Sequence, residues 1–301
     1  MTLASPAIPA PAPLVKRRSA IVDFCRQQPL GAVSLVIILV MMFAGIFSPW
    51  VAPYDPLAIS FDPAESLAPP SAAHWFGTDA YGRDILSRVI YGSRTALVIG
   101  FTSSFVGSTL GAVLGVASAY FGGKIDDWIQ RFVDVLLAFP IIVLALVVVA
   151  AVRSAVIFDI DVNLIIAIAI PILPRVERVV RAAALSVRVM PYVDAARAAG
   201  YSNSRIIFRH MAPNVAAPYL IMLTAFIAQA ILAEASLSFL GLGVTEPTAA
   251  WGLMLSGNAA DFFDKAPWMI LFPGMAISLA VFAFNLFGDS LRDYLDPRFK
   301  I

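Results

Sequence analysis

Residues 30–51 contain no Asp, Glu, Lys or Arg over 22 positions, and residues 95–123 contain none over 29. A bilayer core of about 30 Å takes roughly 20 apolar residues per helix. Hydrocarbon offers no partner for backbone N–H and C=O groups, so a segment this apolar must satisfy its own hydrogen bonds as a helix. The runs therefore restrict the chain to an all-α, polytopic membrane protein. Composition agrees, with 60% hydrophobic and 14% charged residues and a mean hydropathy of +0.84. A net charge of +1 says little about partners, because in a membrane protein what matters is where the charges lie, and no nucleic-acid partner is expected. One cysteine, Cys25, and two histidines, His74 and His210, exclude a disulfide framework and leave a His/Cys metal site without ligands.

Six spans are expected. Residues 1–29 read as a tail, partly disordered in its Pro/Ala-rich start and basic at Lys16, Arg17, Arg18 and Arg26. The apolar run that follows exceeds the roughly 7–15 residues of a signal-peptide core and has no small-residue cleavage site, so it is an uncleaved first helix. Residues 52–94, rich in Pro, Asp and Ser, lie outside the bilayer. The second helix, 95–123, carries Gly107, Gly111 and Gly115 at four-residue spacing, which lets another backbone approach closely. A third, 135–152, is expected to kink at Pro140. The fourth has only 13 uncharged residues, 162–174, and reaches across if Arg175, Arg178 and Arg181 snorkel at its end. The fifth covers 215–240 and the sixth 266–288. Six spans place sixteen Lys and Arg on the side of both termini and five on the other, which makes both termini cytoplasmic.

A cytoplasmic loop at 190–213 stands out. Residues 193–199 are alanine-rich and form a short helix that Gly200 can close in a left-handed conformation. A second helix can start at Ser202 or Asn203 and run through Ile206, Ile207 and Met211 to Pro213. The alanine face leaves little bulk, and Arg197, Arg205 and Arg209 surround it, so the corner reads as a docking knob.

Catalytic parts are missing. There is no Gly-x-x-x-x-Gly-Lys-Ser/Thr to cradle nucleotide phosphates, no Gly-x-Ser-x-Gly and no His-Glu-x-x-His. The chain is expected to be a conduit, not an enzyme, with no catalytic residue, cofactor or metal.

The loop resembles the EAA loop of ABC-importer permeases, in which Glu-Ala-Ala is followed by Gly and, further on, by Ile-x-Leu-Pro. Asp194, Ala195, Ala196, Gly200 and Pro213 fall on that spacing, with Asp for Glu at 194, His210 at the Ile position and Ala212 at the Leu position. FGTDAYGRDILSRVIYGSRTAL at 76–97, ASLSFLGLG at 235–243, Pro247, Trp251-Gly252, APW at 266–268 and AFNLFGDSLRDYLDPR at 283–298 are similar to the peptide-type ABC permease family. That family takes in dipeptide, oligopeptide, glutathione and nickel importers, and this chain is similar to the shorter of their two permease subunits. The resemblance covers about residues 30–300. It implies a type I ABC-importer permease architecture in a bacterial or archaeal plasma (inner) membrane, with 1–29 a cytoplasmic tail and 30–301 the permease domain. It further implies a second homologous permease subunit, two ATP-binding-cassette ATPase subunits or domains gripping the loop, and an extracytoplasmic solute-binding protein. The expected solute is a di- or oligopeptide, with glutathione-like compounds and nickel as the alternative.

Glu234, in the fifth span, is the costliest charge in the bilayer. It either lines the solute path or pairs with an arginine or the wet interface. Asn285, in the sixth, is a weaker candidate for the path, as is Asp134 in the third. Asp79, Arg83, Asp84 and Arg88 form an outer charge set that either holds 52–94 together or meets the binding protein. Two other classes remain. A secondary transporter should show inverted repeats and midplane coupling residues. An intramembrane enzyme should show a paired catalytic constellation, and neither pattern is visible.

Overall fold

The computed structural model describes residues 20–152, 156, 157 and 160–295. Lys16, Arg17, Arg18, Arg153 and residues 296–301 lie outside the described residues, as does the expected disorder at the start of the tail. The described chain is mainly helical, with an irregular segment at 52–84, shorter irregular stretches at 240–250 and 262–267, and one small pair of strands.

Helices α1 (Ala20–Gln27) and α2 (Pro29–Ile46) lead into a single turn, α3 (Ser48–Val51). An irregular segment then runs to α4 (Ile85–Phe121), which at 37 residues is about 55 Å long and overshoots a hydrocarbon core of ~30 Å. The second helix thus starts ten residues before its uncharged part. Asp84 fixes that start: its carboxylate accepts the Ser87 backbone N–H at 2.8 Å and the Ser87 hydroxyl at 2.7 Å.

Helices α5 (Gly123–Leu137) and α6 (Ile141–Ala151) meet at 97°. The expected third helix is therefore broken at Pro140, not kinked. Pro140 has no N–H to continue a helix, disfavours the helical region for Phe139, and itself sits at ψ 141°, outside the helical region. Two short strands follow, β1 (Val156–Ile157) paired antiparallel with β2 (Ile160–Asp161). Helix α7 (Val162–Arg188) continues for 27 residues through Pro171 and Pro174, so the short fourth run does become one long helix with its arginines at the far end.

The 190–213 loop comprises α8 (Pro191–Ala198), α9 (Asn203–Ile206), a π-helical turn (Ile207–Met211) and the start of a 3-10 turn (Ala212–Val215). Then come α10 (Ala216–Phe239), α11 (Trp251–Met254), α12 (Asn258–Asp261) and α13 (Trp268–Leu295). Among the described residues four helical stretches are long and apolar enough to cross a membrane, or five if the bent α5–α6 pair is one span. The remaining expected span is α7, long enough but carrying Arg175, Glu177, Arg178, Arg181 and Arg188.

Helix α4 is the axis of the bundle. Its glycine row lies against the backbone of α7: a Cβ on Gly107, Gly111 or Gly115 would come within 2.6, 2.5 and 2.7 Å of the carbonyl oxygens of Ala169, Leu173 and Glu177. The partners repeat every four residues on both helices, so the two backbones interlock as the glycine spacing predicts. One buried cluster joins α4, α7, α10 and the 190–213 loop through Val116, Ile172, Val176, Val193, Ile206, Met211 and Phe226. A second joins α2, α4, α10 and α13 around Ile231 and Phe284. The outward faces of α2, α6 and α13 are studded with exposed Val, Leu, Ile, Met and Phe, as lipid requires.

Candidate functional site

The polar chemistry of the chain sits at its two ends. At one end the loop makes the expected corner. Gly200 has φ +75°, and the Tyr201 and Gly200 N–H groups donate to the Ala196 and Arg197 carbonyls at 3.1 and 2.9 Å, which closes α8. Ser202 then caps α9, its hydroxyl accepting the Arg205 N–H at 3.4 Å. The expected single second helix is instead three short pieces. Pro213 cannot donate to the Arg209 carbonyl, so the ladder loosens into a π turn and then tightens, while the Asn214 amide donates to the His210 carbonyl at 2.7 Å.

The alanine run divides. Ala196 is buried with Val193, Ile206 and Met211 in the chain's own core, whereas Asp194, Ala195, Arg197, Gly200, Arg205, Arg209 and Pro213 are exposed. Arg197 bonds Asp194 at 3.2 Å and Arg205 stacks on Tyr201 at 4.1 Å. His210 lies 6.4 and 6.1 Å from the rings of Tyr192 and Tyr201, with its Nε2 buried and unpartnered. Phe208 is among the most exposed side chains of the loop.

Sequence reasoning did not identify how this loop is wired to the bundle. The Tyr120 hydroxyl, one residue from the end of α4, donates to Asn203 at 2.8 Å, and Arg197 stacks over the Tyr120 ring at 5.4 Å. Arg188 donates to the Ala119 carbonyl at 2.9 Å. Beside them Arg181 bonds Asp126 at 2.6 and 2.8 Å, Ser118 donates to Asp126, and Gln130 donates to buried Glu177 at 2.8 Å. Arg178 pairs with Asp134 at 2.5 Å, so Asp134 is an exposed ion-pair partner at this end. Directional contacts thus tie the loop to the end of α4, and further bonds tie α4 and α7 to each other and to α5.

At the opposite end Asp79, Arg83, Asp84 and Arg88 come together and are all buried. Arg83 bonds Asp79 at 2.6 Å and Glu246 at 2.8 Å, and Arg88 donates to the Pro56 carbonyl at 3.1 Å. Burial lowers the pKa of Arg83, but the hydrogen bonds and charges of Glu246 and Asp79 outweigh it and hold the pKa above the ordinary value. Asp84 also bonds His74 at 2.9 Å. Tryptophans complete the stitching: Trp251 donates to the Val89 carbonyl at 2.9 Å and Trp268 to that of Thr78 at 3.1 Å. A cavity of about 220 Å³ opens here, lined by Asp79, Arg83, Arg88 and Glu246 and by the apolar Ile85, Met254 and Met269. Glu246 lies 163 residues from Arg83, and no local signal marks it as the partner.

Glu234 is 1% exposed and accepts the Ser238 hydroxyl at 2.8 Å, while the same hydroxyl accepts the Val244 N–H at 3.2 Å. Ser238, not an arginine, is its partner. Asn285 is exposed on α13.

Three comparisons bear on this architecture. Residues 107–301 match the model of the binding-protein-dependent transport system inner membrane component family, and residues 24–70 match the N-terminal TM domain of oligopeptide transport permease C. A putative peptide transport system permease protein of Brucella suis is 44% identical over 269 residues, 89% of this chain and 88% of its own length. The dipeptide transport system permease protein DppC of Alkalihalophilus pseudofirmus is 42% identical over 91% of this chain and 88% of its own. The glutathione transport system permease protein GsiD of Escherichia coli is 40% identical over the same shares. Inward-facing conformations of the MetNI methionine ABC transporter share the fold, with a TM-score of 0.54 at 15% identity over 69% of this chain and 97% of that one. Helical architecture, family match and sequence identity agree: the chain belongs to the binding-protein-dependent transport system inner membrane component family.

Proposed function

We propose that the chain is the permease subunit of an ATP-binding-cassette importer for di- or oligopeptides, and that partner ATPases drive it through the 190–213 loop. Family membership supports a transport permease of the peptide type. The observation that carries the mechanical part is the tie between loop and bundle: Tyr120 to Asn203, Arg197 over Tyr120, and Val193, Ala196, Ile206 and Met211 sunk into the core. A knob fixed in this way cannot move without tilting α4 and α7.

In this reading Asp194, Ala195, Ala196, Arg197, Gly200, Arg205, Arg209 and Pro213 form the ATPase-coupling corner on the cytoplasmic side. Both termini are cytoplasmic, six spans cross the plasma membrane, and residues 1–29 and 30–301 are tail and permease domain. A second permease subunit completes the channel. A solute-binding protein docks outside, over the cap built by Asp79, Arg83, Asp84 and Arg88. ATP hydrolysis belongs to the partner chains. Glu234 and Asn285 border the solute path, Glu234 from within the wall through Ser238.

The solute is tested by uptake into vesicles containing the whole transporter. A labelled dipeptide or oligopeptide should accumulate only with ATP and should be displaced by peptides. Uptake competed by glutathione or nickel alone would favour the other solute class, in line with the glutathione permease relative. Uptake that survives loss of ATP but follows an ion gradient would make the chain a secondary transporter. Glu234→Gln with unchanged uptake and assembly removes that residue from the path.

A further inference from the structure

We infer that α5 is not half of a membrane-crossing helix but a foot lying flat in the bilayer surface, on the side of the 190–213 loop, with one face against lipid. Both the leaflet it occupies and its flat attitude rest on the topology proposed above, in which the chain crosses the bilayer through α6.

Three observations carry this. First, α5 is two-faced. Ile125, Trp128, Phe132 and Val135 recur at spacings of 3, 4 and 3 along one stripe and are 49%, 70%, 54% and 61% exposed. Such a stripe covers one face of a helix and must be covered by something apolar. Second, the other face is nailed to the bundle. Asp126 bonds Arg181 and Ser118, and Gln130 bonds Glu177 and Ser118, all near the last turn of α4 or on the far half of α7. The helix therefore has a fixed rotation, with its stripe turned away from the protein. Third, α6 leaves α5 at 97° and is uncharged over 11 residues. With α6 along the membrane normal, as the third span of the topology proposed above, α5 lies across that normal.

Helix α6 likewise leaves Ile142, Val143 and Val147 exposed, so both limbs of the bent pair present apolar side chains outward. Lys124 and Arg131 flank the stripe, and Arg131 stacks over Trp128 at 5.7 Å. A tryptophan with its ring in the headgroup layer and two cations level with phospholipid phosphates is the pattern of an interfacial helix. The occupant is thus the phospholipid surface itself. It steadies one end of the Asp126–Arg181 bond while the loop moves the other.

Depth measurement decides. In a chain with Cys25→Ser, cysteines placed singly at 125, 128, 132 and 135 are spin-labelled in the assembled transporter in nanodiscs. Collision rates with oxygen and with a water-soluble nickel chelate then give the depth of each. A flat α5 puts all four labels at one depth near the headgroups, each reached by oxygen. A spanning α5 spreads 125 and 135 by about 15 Å, because ten residues rise 1.5 Å each, and that spread overturns the inference. Labels shielded from both reagents would mean that another protein chain covers the stripe, which overturns it equally. An impermeant thiol reagent on a cysteine at Ser204, in the exposed part of the loop, reports sidedness separately, so a wrong topology is distinguishable from a wrong attitude.

Discussion

Gly111 offers the sharpest test of the packing that carries the fold. A Cβ there would sit 2.5 Å from the Leu173 carbonyl oxygen, 3.0 Å from the Val176 Cβ and 3.1 Å from the Glu177 nitrogen. Two of those three are backbone, which no rotamer change can move. Accommodating Gly111→Ala requires α4 and α7 to part by several tenths of an ångström, and a radial gap of 0.5–1 Å forfeits roughly a quarter to a half of each dispersion contact along the seam. Overpacking of this kind costs about 1–3 kcal/mol. Replacing Gly by Ala also favours a helix by up to about 1 kcal/mol, which works the other way. Gly274→Ala separates the two effects, because Gly274 lies inside α13 with nothing within 4 Å of the added atom. Both variants gain propensity and only Gly111→Ala meets a backbone. Thermal unfolding of the purified transporter in one detergent should place Gly111→Ala below Gly274→Ala by about 1–3 kcal/mol. Two variants within ~0.5 kcal/mol of each other would refute the interlocked backbones, since that is the ordinary scatter of unremarkable substitutions.

Other expected outcomes follow from the two ends of the molecule. Gly200→Val forces a β-branched residue into a left-handed position at φ +75°, costing roughly 1–2 kcal/mol locally; uptake should fall severalfold while membrane assembly, read by size-exclusion chromatography, persists. Trp251→Ala empties the space of a 2%-exposed indole against Gly92 and should cost about 3–5 kcal/mol in thermal unfolding, whereas Trp251→Phe loses chiefly the bond to Val89 and should cost less. Reversal of the outer ion pair, with Arg83→Glu and Glu246→Arg together, should recover about 1 kcal/mol of what the single changes lose in a double-mutant cycle, a modest sum because Glu246 is half exposed.

Helix existence was legible in the sequence because hydrocarbon leaves the backbone no alternative, and the glycine row named its own use. The corner at Gly200 was legible for a similar reason: a left-handed residue after an alanine run has few other meanings. What sequence could not reach was geometry set by partners far along the chain. Arg83 finds Glu246 and Tyr120 finds Asn203 only after the bundle folds, and Glu234 finds a serine four residues away, where the sequence left open the solute path, an arginine or the wet interface. Pro140 was recognised as a disruption, yet a single proline does not say whether a helix bends or breaks. That choice was made by α5, whose polar face is held by Arg181 and Glu177 in a direction that α6 cannot share.

The mechanical reading stands or falls on ATP-driven uptake of a labelled peptide by transporter whose residues 194–213 are replaced with a Gly/Ser linker of equal length. Normal membrane insertion and pairing with the second permease chain should be confirmed first. Accumulation is expected to drop to the level seen without ATP, while the ATPases no longer co-purify with the membrane chains. Accumulation at the unmodified rate would mean that the force enters the bundle elsewhere, and would contradict the assignment of this corner.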